Sequence, residues 1–293
     1  MPDAVVPQGV SIHFDTFGDP RDPAVLLVMG LGTQMIGWRT EFCATLAARG
    51  LYVVRFDNRD IGLSTKLDGA PATSLPRTLL LRRLGLARSA YTISDMARDS
   101  IGVLDHLGID SAHWVGVSMG GMIAQTIAIE HPSRARSLTS IMSSPGDRRL
   151  PTPSGAASAV LLRRPPRSRD EAVQRVIDVF RVIGSPRYFD QARVAARAAE
   201  SYDRSSYRVG VSRQLDAILC SPPRDVALRS LRIPTTVLHG ALDPLVRLEH
   251  GLATARAIPD AELRVIDDLA HDLPDERWPI FHAAIERSVE RAG

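Results

Sequence analysis

The chain has 293 residues, 44% hydrophobic and 24% charged, with 21 Gly and 20 Pro. This is globular usage and excludes disordered, collagen-like and coiled-coil chains; the length fits one large α/β domain with an insertion, or two ordinary domains. Net charge is only +3. The basic residues, all Arg except Lys66, are scattered in runs no longer than Arg82-Arg83, Arg148-Arg149 and Arg163-Arg164, so no nucleic-acid surface is indicated.

Cys43 and Cys220 lie far apart and outside any C-x-x-C pattern, which points to buried thiols rather than a disulfide framework or a zinc site. The first ten residues carry Asp3 and Pro7 where a secretory segment needs positive charge followed by an apolar run. The longest apolar stretches, such as Ala24 to Met29, fall far short of the roughly 20 residues that cross a bilayer. A soluble, cytoplasmic protein is the expectation.

In chain order, β-rich runs are predicted at Ser11 to Phe17, Ala24 to Met29, Tyr52 to Phe56, His113 to Val117, Ser137 to Met142, Thr235 to His239 and Ala261 to Ile266. Several are apolar throughout, as strands covered on both faces should be. Between them the spacing predicts helices near Thr40 to Arg49, over Asp95 to Leu107 behind a Thr92/Asp95 capping box, over Met119 to Glu130, and through Trp278, Phe281 and Ile285 near the end. This alternation predicts an α/β fold with a mainly parallel central sheet and helices on both faces. The alternation breaks over residues 145–232, where Pro, Ser and Arg are frequent and helical periodicity runs without strands. A mostly helical cap insertion is predicted there, with Ser168 and Glu171 capping a helix that carries Val173, Val176, Ile177 and Phe180. Residues 1–144 and 233–293 would then form the core. From Leu75 to Arg88, leucines interleave with Arg77, Arg82, Arg83 and Arg88. A helix covering the cleft beneath the cap is favoured there over one lying on an anionic membrane surface.

The strongest chemical signal is Gly116-Val117-Ser118-Met119-Gly120, a G-x-S-x-G match between an apolar strand and a helix. Such a turn exposes a serine nucleophile, and its glycines remove side chains that would collide with strand and helix. A serine hydroxyl is weak alone, so a base and an orienting acid must follow. His271, just after the last strand, is better placed than the other seven histidines, which sit in strands or helical patterns. Asp243, in the loop after the preceding strand, is the favoured acid, and Asp147, beyond the strand ending at Met142, is its competitor. Met29-Gly30-Leu31-Gly32 opens a loop whose Leu31 amide, with that of Met119, could hold an oxyanion. Asp57 to Ser64 reads as a structural turn beside the serine. With no H-E-x-x-H, P-loop or G-x-G-x-x-G present, neither a metal nor a nucleotide cofactor is called for.

These motifs, in this order over nearly the whole chain outside the insertion, resemble the α/β-hydrolase superfamily. They are most similar to its branch of aclacinomycin methylesterase and actinobacterial lipolytic esterases, in which methionine stands where histidine usually ends the strand before the oxyanion loop. The resemblance implies carboxylic-ester hydrolysis of a small-molecule substrate through Ser118, Asp243 and His271, with Leu31 and Met119 as oxyanion donors. Two departures from the wider superfamily fall beside the site: Met29 for His, and Asp60 for a common Gly. A thioesterase or phospholipase, a cofactor-free perhydrolase, a carbon–carbon bond hydrolase and a non-catalytic binding protein are the competing readings. Met35 and Trp38 are expected on the floor of an apolar, enclosed cleft, which favours short to medium acyl chains. No oligomeric state follows from the sequence.

Overall fold

The computed structural model describes every residue except Met1, Gln8, Gly85 and residues 162–165, and every described side chain except that of Leu75. Leu75 as part of the Leu/Arg pattern, and Arg163-Arg164 among the basic pairs, therefore lie outside what is described.

Eight strands form one sheet: β1 (Asp3–Val5), β2 (Ser11–Phe17), β3 (Ala24–Val28), β4 (Tyr52–Phe56), β5 (Ala112–Val117), β6 (Ala135–Ile141), β7 (Thr235–Gly240) and β8 (Glu262–Ile266). Their order is β1-β2-β4-β3-β5-β6-β7-β8, antiparallel through β1, β2 and β4 and parallel from β4 onward. β3, β4, β5 and β7 are buried along their whole length, because helices cover both faces. Alternate side chains of β3 divide accordingly. Leu26 and Val28 enter a core with Met96, Ile101, Leu104 and Ile123, from helices α3 (Ile93–His106) and α4 (Met119–Glu130). Val25 and Leu27 enter the opposite core with Phe42, Leu46, Phe281 and Ile285, from α1 (Thr40–Ala47) and α10 (Trp278–Glu290). Full burial of each such side chain contributes about 1.5–3 kcal/mol, so two-sided coverage selects continuous apolar runs over alternation.

Strand ends differ from the sequence expectation by a residue or two, and β1 was not expected. It is three residues long, and its Val5 side is exposed, so it has almost no periodicity to read. The Thr92/Asp95 capping box is present at the start of α3. α9 (Leu248–Ala257) packs on β7 and β8.

Between β6 and β7 lie α5 (Gly155–Leu161), α6 (Arg169–Ile183), α7 (Gln191–Arg204) and α8 (Arg208–Cys220), with no strand among the described residues. Ser168 caps α6 by accepting from the Glu171 amide. α2 (Leu75–Arg83) packs on α8, where buried Thr78 donates to Asp216 at 2.5 Å; Leu79, Leu80, Leu84 and Leu86 are exposed. No helix among the described residues is long and apolar enough to cross a membrane.

Candidate active site

The site lies at the carboxyl edge of the parallel strands, where loops rather than strands set side-chain direction. β5 ends at Val117 and α4 begins at Met119, so Ser118 makes the entire turn, at φ 56° and ψ −118°. A non-glycine residue held there costs on the order of 1–3 kcal/mol. Surrounding bonds hold it: the Ser118 amide donates to Ile141 O at 2.9 Å, and the Ser118 carbonyl accepts from the Gly121 amide at 3.0 Å and from Ser143 Oγ at 2.7 Å. The flanking glycines are demanded by close approach. A Cβ on Gly116 would stand 2.1 Å from Gly120 O, and one on Gly120 would stand 2.1 Å from Val28 O.

His271 follows β8 in a loop that returns to this turn, its Nε2 3.1 Å from Ser118 Oγ. Its Nδ1 is 2.6 Å from Asp243 Oδ2. The other Asp243 oxygen accepts from the amides of Leu245 and Val246 at 2.9 and 2.8 Å, which fixes the buried carboxylate before it meets the imidazole. His239 supports the same loop. Burial depresses its proton affinity, and its Nε2 bonds to Val246 O at 2.7 Å; a neutral ring must be the donor there. The competing acid, Asp147, is bonded to Arg149 rather than to His271. Its carboxyl is held at about 2 by hydrogen bonds from the Arg149 side chain and backbone.

The loops after β3 and β4 form the facing wall. A Cβ built on Gly30 would lie 3.2 Å from Ser118 Cβ, so the backbone of the first loop runs directly against the serine. Met29 does not occupy the position with a polar group; its side chain is buried, and its carbonyl accepts from Asn58 Nδ2 at 3.0 Å. Met35 and Trp38 are both buried. The Met35 amide donates to Asp57 Oδ1 at 2.7 Å, and the Trp38 ring packs 5.2 Å from the Phe42 ring in the α1/α10 core.

The segment between β6 and β7 fastens both walls. Arg204, ending α7, pairs with fully buried Asp57 at 2.7 Å and donates to Gln34 Oε1 at 2.6 Å. Arg213 on α8 grips Asp60 through two 2.8 Å bonds, with both side chains almost wholly buried. Asp60 stands at φ 69°, a backbone conformation that suits the glycine usual there in the superfamily. Burial pushes its carboxyl up, and the Arg213 guanidinium with the Leu67 amide more than reverses this, leaving it below the ordinary range. Gln214 Oε1 accepts from the Gly32 amide and its Nε2 donates to Arg59 O, both at 2.9 Å. On the histidine side, Ser185 Oγ accepts from the Ala270 amide at 2.8 Å and donates to Asp272 at 2.5 Å, while the His271 amide donates to Ile183 O at 2.8 Å. Burial raises the Asp272 carboxyl, opposed by its two bonds from Ser185.

Residues 23–277 match the family model described as alpha/beta hydrolase fold. The chain belongs to the α/β-hydrolase family. It is 27% identical to rhodomycin D methylesterase DauP of Streptomyces sp. strain C5, over 90% of each chain. To 3-oxoadipate enol-lactonase 2 of Acinetobacter baylyi it is 24% identical, over 99% of this chain and 97% of that one. The solved enol-lactonase from Burkholderia xenovorans LB400 shares the fold at a TM-score of 0.76 and 22% identity, covering 99% of this chain and 100% of that one.

In this hydrolase, Ser118, Asp243 and His271 meet as one hydrogen-bonded line, and Leu31 and Met119 flank the serine in the chain segments that approach it. Sequence reasoning missed Ser185, Arg204, Arg213, Gln214 and Asp272. Of their partners, only Asp60 stood out in the sequence, as a charge in a glycine's place, and the buried Arg213 pair explains it.

Proposed function

We propose that the protein is a serine hydrolase of carboxylic esters, acting through an acyl-enzyme on Ser118. The observation that carries this is the continuous pair of bonds from Asp243 to His271 at 2.6 Å and from His271 to Ser118 at 3.1 Å. Ser118 Oγ attacks the ester carbonyl as its proton passes to His271 Nε2; Asp243 keeps the other ring nitrogen protonated and stabilises the imidazolium. The amides of Leu31 and Met119 receive the developing oxyanion, a contribution of about 3–4 kcal/mol per donor. His271 returns the proton to the departing alcohol, then activates the water that releases the acid. The steps use only the serine, the imidazole, the carboxylate and water, so the scheme asks for no cofactor. Relatives that are a methylesterase and an enol-lactonase support the same bond type.

Residues 145–232 act as a cap in this reading. Their ties to the loops around Gly32, Asp57, Asp60 and His271 support a helical segment over the catalytic edge that would limit the acyl site. Each methylene buried by the substrate contributes about 0.8 kcal/mol until the wall is reached. Efficiency should therefore rise from acetyl to butyryl or hexanoyl esters and then fall. A fluorophosphonate should label Ser118 and abolish hydrolysis of p-nitrophenyl butyrate; retained turnover after labelling, or in Ser118→Ala, overturns the mechanism. Efficiency still climbing at palmitoyl esters overturns the size limit alone.

A further inference from the structure

We propose that Gln214 is a positioning residue for the oxyanion-binding loop, setting the amide of Leu31 from the helical segment. This rests on the serine-esterase reading and extends it to a residue outside the hydrolase core. The loop is a turn closed by the Thr33 amide on Gly30 O at 3.2 Å, with Gly32 third at φ 68°. A left-handed third residue marks a type II turn, which differs from a type I turn mainly by rotation of the central peptide. That central peptide joins Leu31 to Gly32. Its N–H is the group that Gln214 Oε1 accepts at 2.9 Å, and its carbonyl accepts from Thr33 Oγ1 at 3.3 Å.

Without Gln214 the buried face of this peptide has no side-chain acceptor to hold its orientation, and glycine adds no Cβ to resist rotation. The peptide immediately before it carries the Leu31 amide and is joined to it at the Leu31 Cα, so a central peptide free to move leaves the Leu31 donor less firmly aimed. Gln214 can hold the peptide because it is itself held: it is fully buried, and its other end is fixed by donation to Arg59 O at 2.9 Å. The Arg213–Asp60 pair beside it sets the register of α8 against the same loops. Val211, one turn earlier, packs on Gly32, its Cγ1 3.2 Å from where a Cβ would stand, so the turn is touched from α8 at two points.

Gln214→Leu and Gln214→Met keep the bulk and remove both bonds. For p-nitrophenyl butyrate, kcat per fluorophosphonate-reactive site should fall about 10- to 100-fold, below the loss expected for deleting an oxyanion donor outright, while KM moves by less than about threefold. Affinity for 1-butaneboronic acid should fall by the same factor as kcat. This probe adds to the Ser118 oxygen while the serine proton passes to His271, placing one boronate hydroxyl where the oxyanion forms. A residue that serves only folding would lower the fraction of reactive protein and the melting temperature but leave kcat per site and boronate affinity at wild-type levels; that result overturns the proposal. Should neither variant fold, hydrogen exchange of the wild-type protein decides: the Gly32 amide should be protected, and exchange at the rate of an open loop overturns it. Failure of the underlying esterase reading looks different, as wild-type protein that does not label or Ser118→Ala that still turns over.

Discussion

At Ser118 the strained backbone is gripped by its own helix and by β6 and the loop that follows it, whereas the loops carrying Leu31 and His271 are gripped from far along the chain. Gln214 lies 182 residues from Gly32 and Ser185 lies 85 residues from Ala270. Ser118 is thus placed by a local motif of glycines and hydrogen bonds, and the loops facing it are placed by tertiary contacts from a segment with little motif of its own.

The sharpest test is the choice of acid, whose carboxylate is held by the amides of its own loop before it meets His271. Asp243→Asn should cut kcat/KM by about 10⁴-fold with the fold intact, because the amide no longer favours the working tautomer of His271. Asp147→Asn should stay within about twofold of wild type, since that carboxylate is occupied by Arg149. A crippled Asp147→Asn enzyme beside a healthy Asp243→Asn enzyme would reverse the assignment.

The long-range half is tested next, by stability. Arg213→Met leaves Asp60 buried without its cation and should cost about 3–5 kcal/mol in urea unfolding at pH 7. Adding Asp60→Gly removes the orphaned charge and suits φ 69°, so the double variant should recover most of the loss. If the single variant loses under about 1 kcal/mol, α8 is not fastened as described.

These two tests also mark what sequence could reveal. The glycines around Ser118, the apolar strands and the order of Ser118, Asp243 and His271 are legible because each is a short pattern with a fixed consequence. The Asp60–Arg213 and Gly32–Gln214 contacts are not, since an arginine or glutamine on a helix carries no local sign that it is buried. Trp38 shows a related limit: an apolar pattern predicts burial, but the same pattern serves the core around Phe42, where its ring packs, and the wall of a cleft.

A third prediction concerns acid lability within β5, the strand leading to the serine. His113 is buried against Ser137, and burial lowers its proton affinity to about 4. The unfolded chain takes up this proton near the ordinary value of ~6.5 while the native protein does so only near 4, so stability present at neutral pH drains away as pH falls across that window. The loss should reach about 3 kcal/mol at most, complete below pH 4, and His113→Gln should flatten the unfolding free energy over the same range. An unchanged slope would assign the acid sensitivity to other groups.

The smallest effect is expected at the clamp on the histidine loop. Ser185→Ala removes the bonds to Ala270 and Asp272 but leaves the Ile183–His271 backbone bond, so kcat/KM should fall only about tenfold, or 1.4 kcal/mol. A loss as large as that of Asp243→Asn would mean that the helical segment holds the imidazole more tightly than these hydrogen bonds indicate.

The separation between Ser118 and the groups that serve it also sets an order of events during synthesis. Once β6 has emerged, the chain can fold its serine turn from residues already made, yet Gln214, Asp243 and His271 still lie ahead in translation. Contacts of such long sequence separation form late. A nascent or truncated chain would therefore display Ser118 without Asp243 and His271 beside it. Any chemistry that needs all three side chains together would wait until the carboxyl-terminal third has docked.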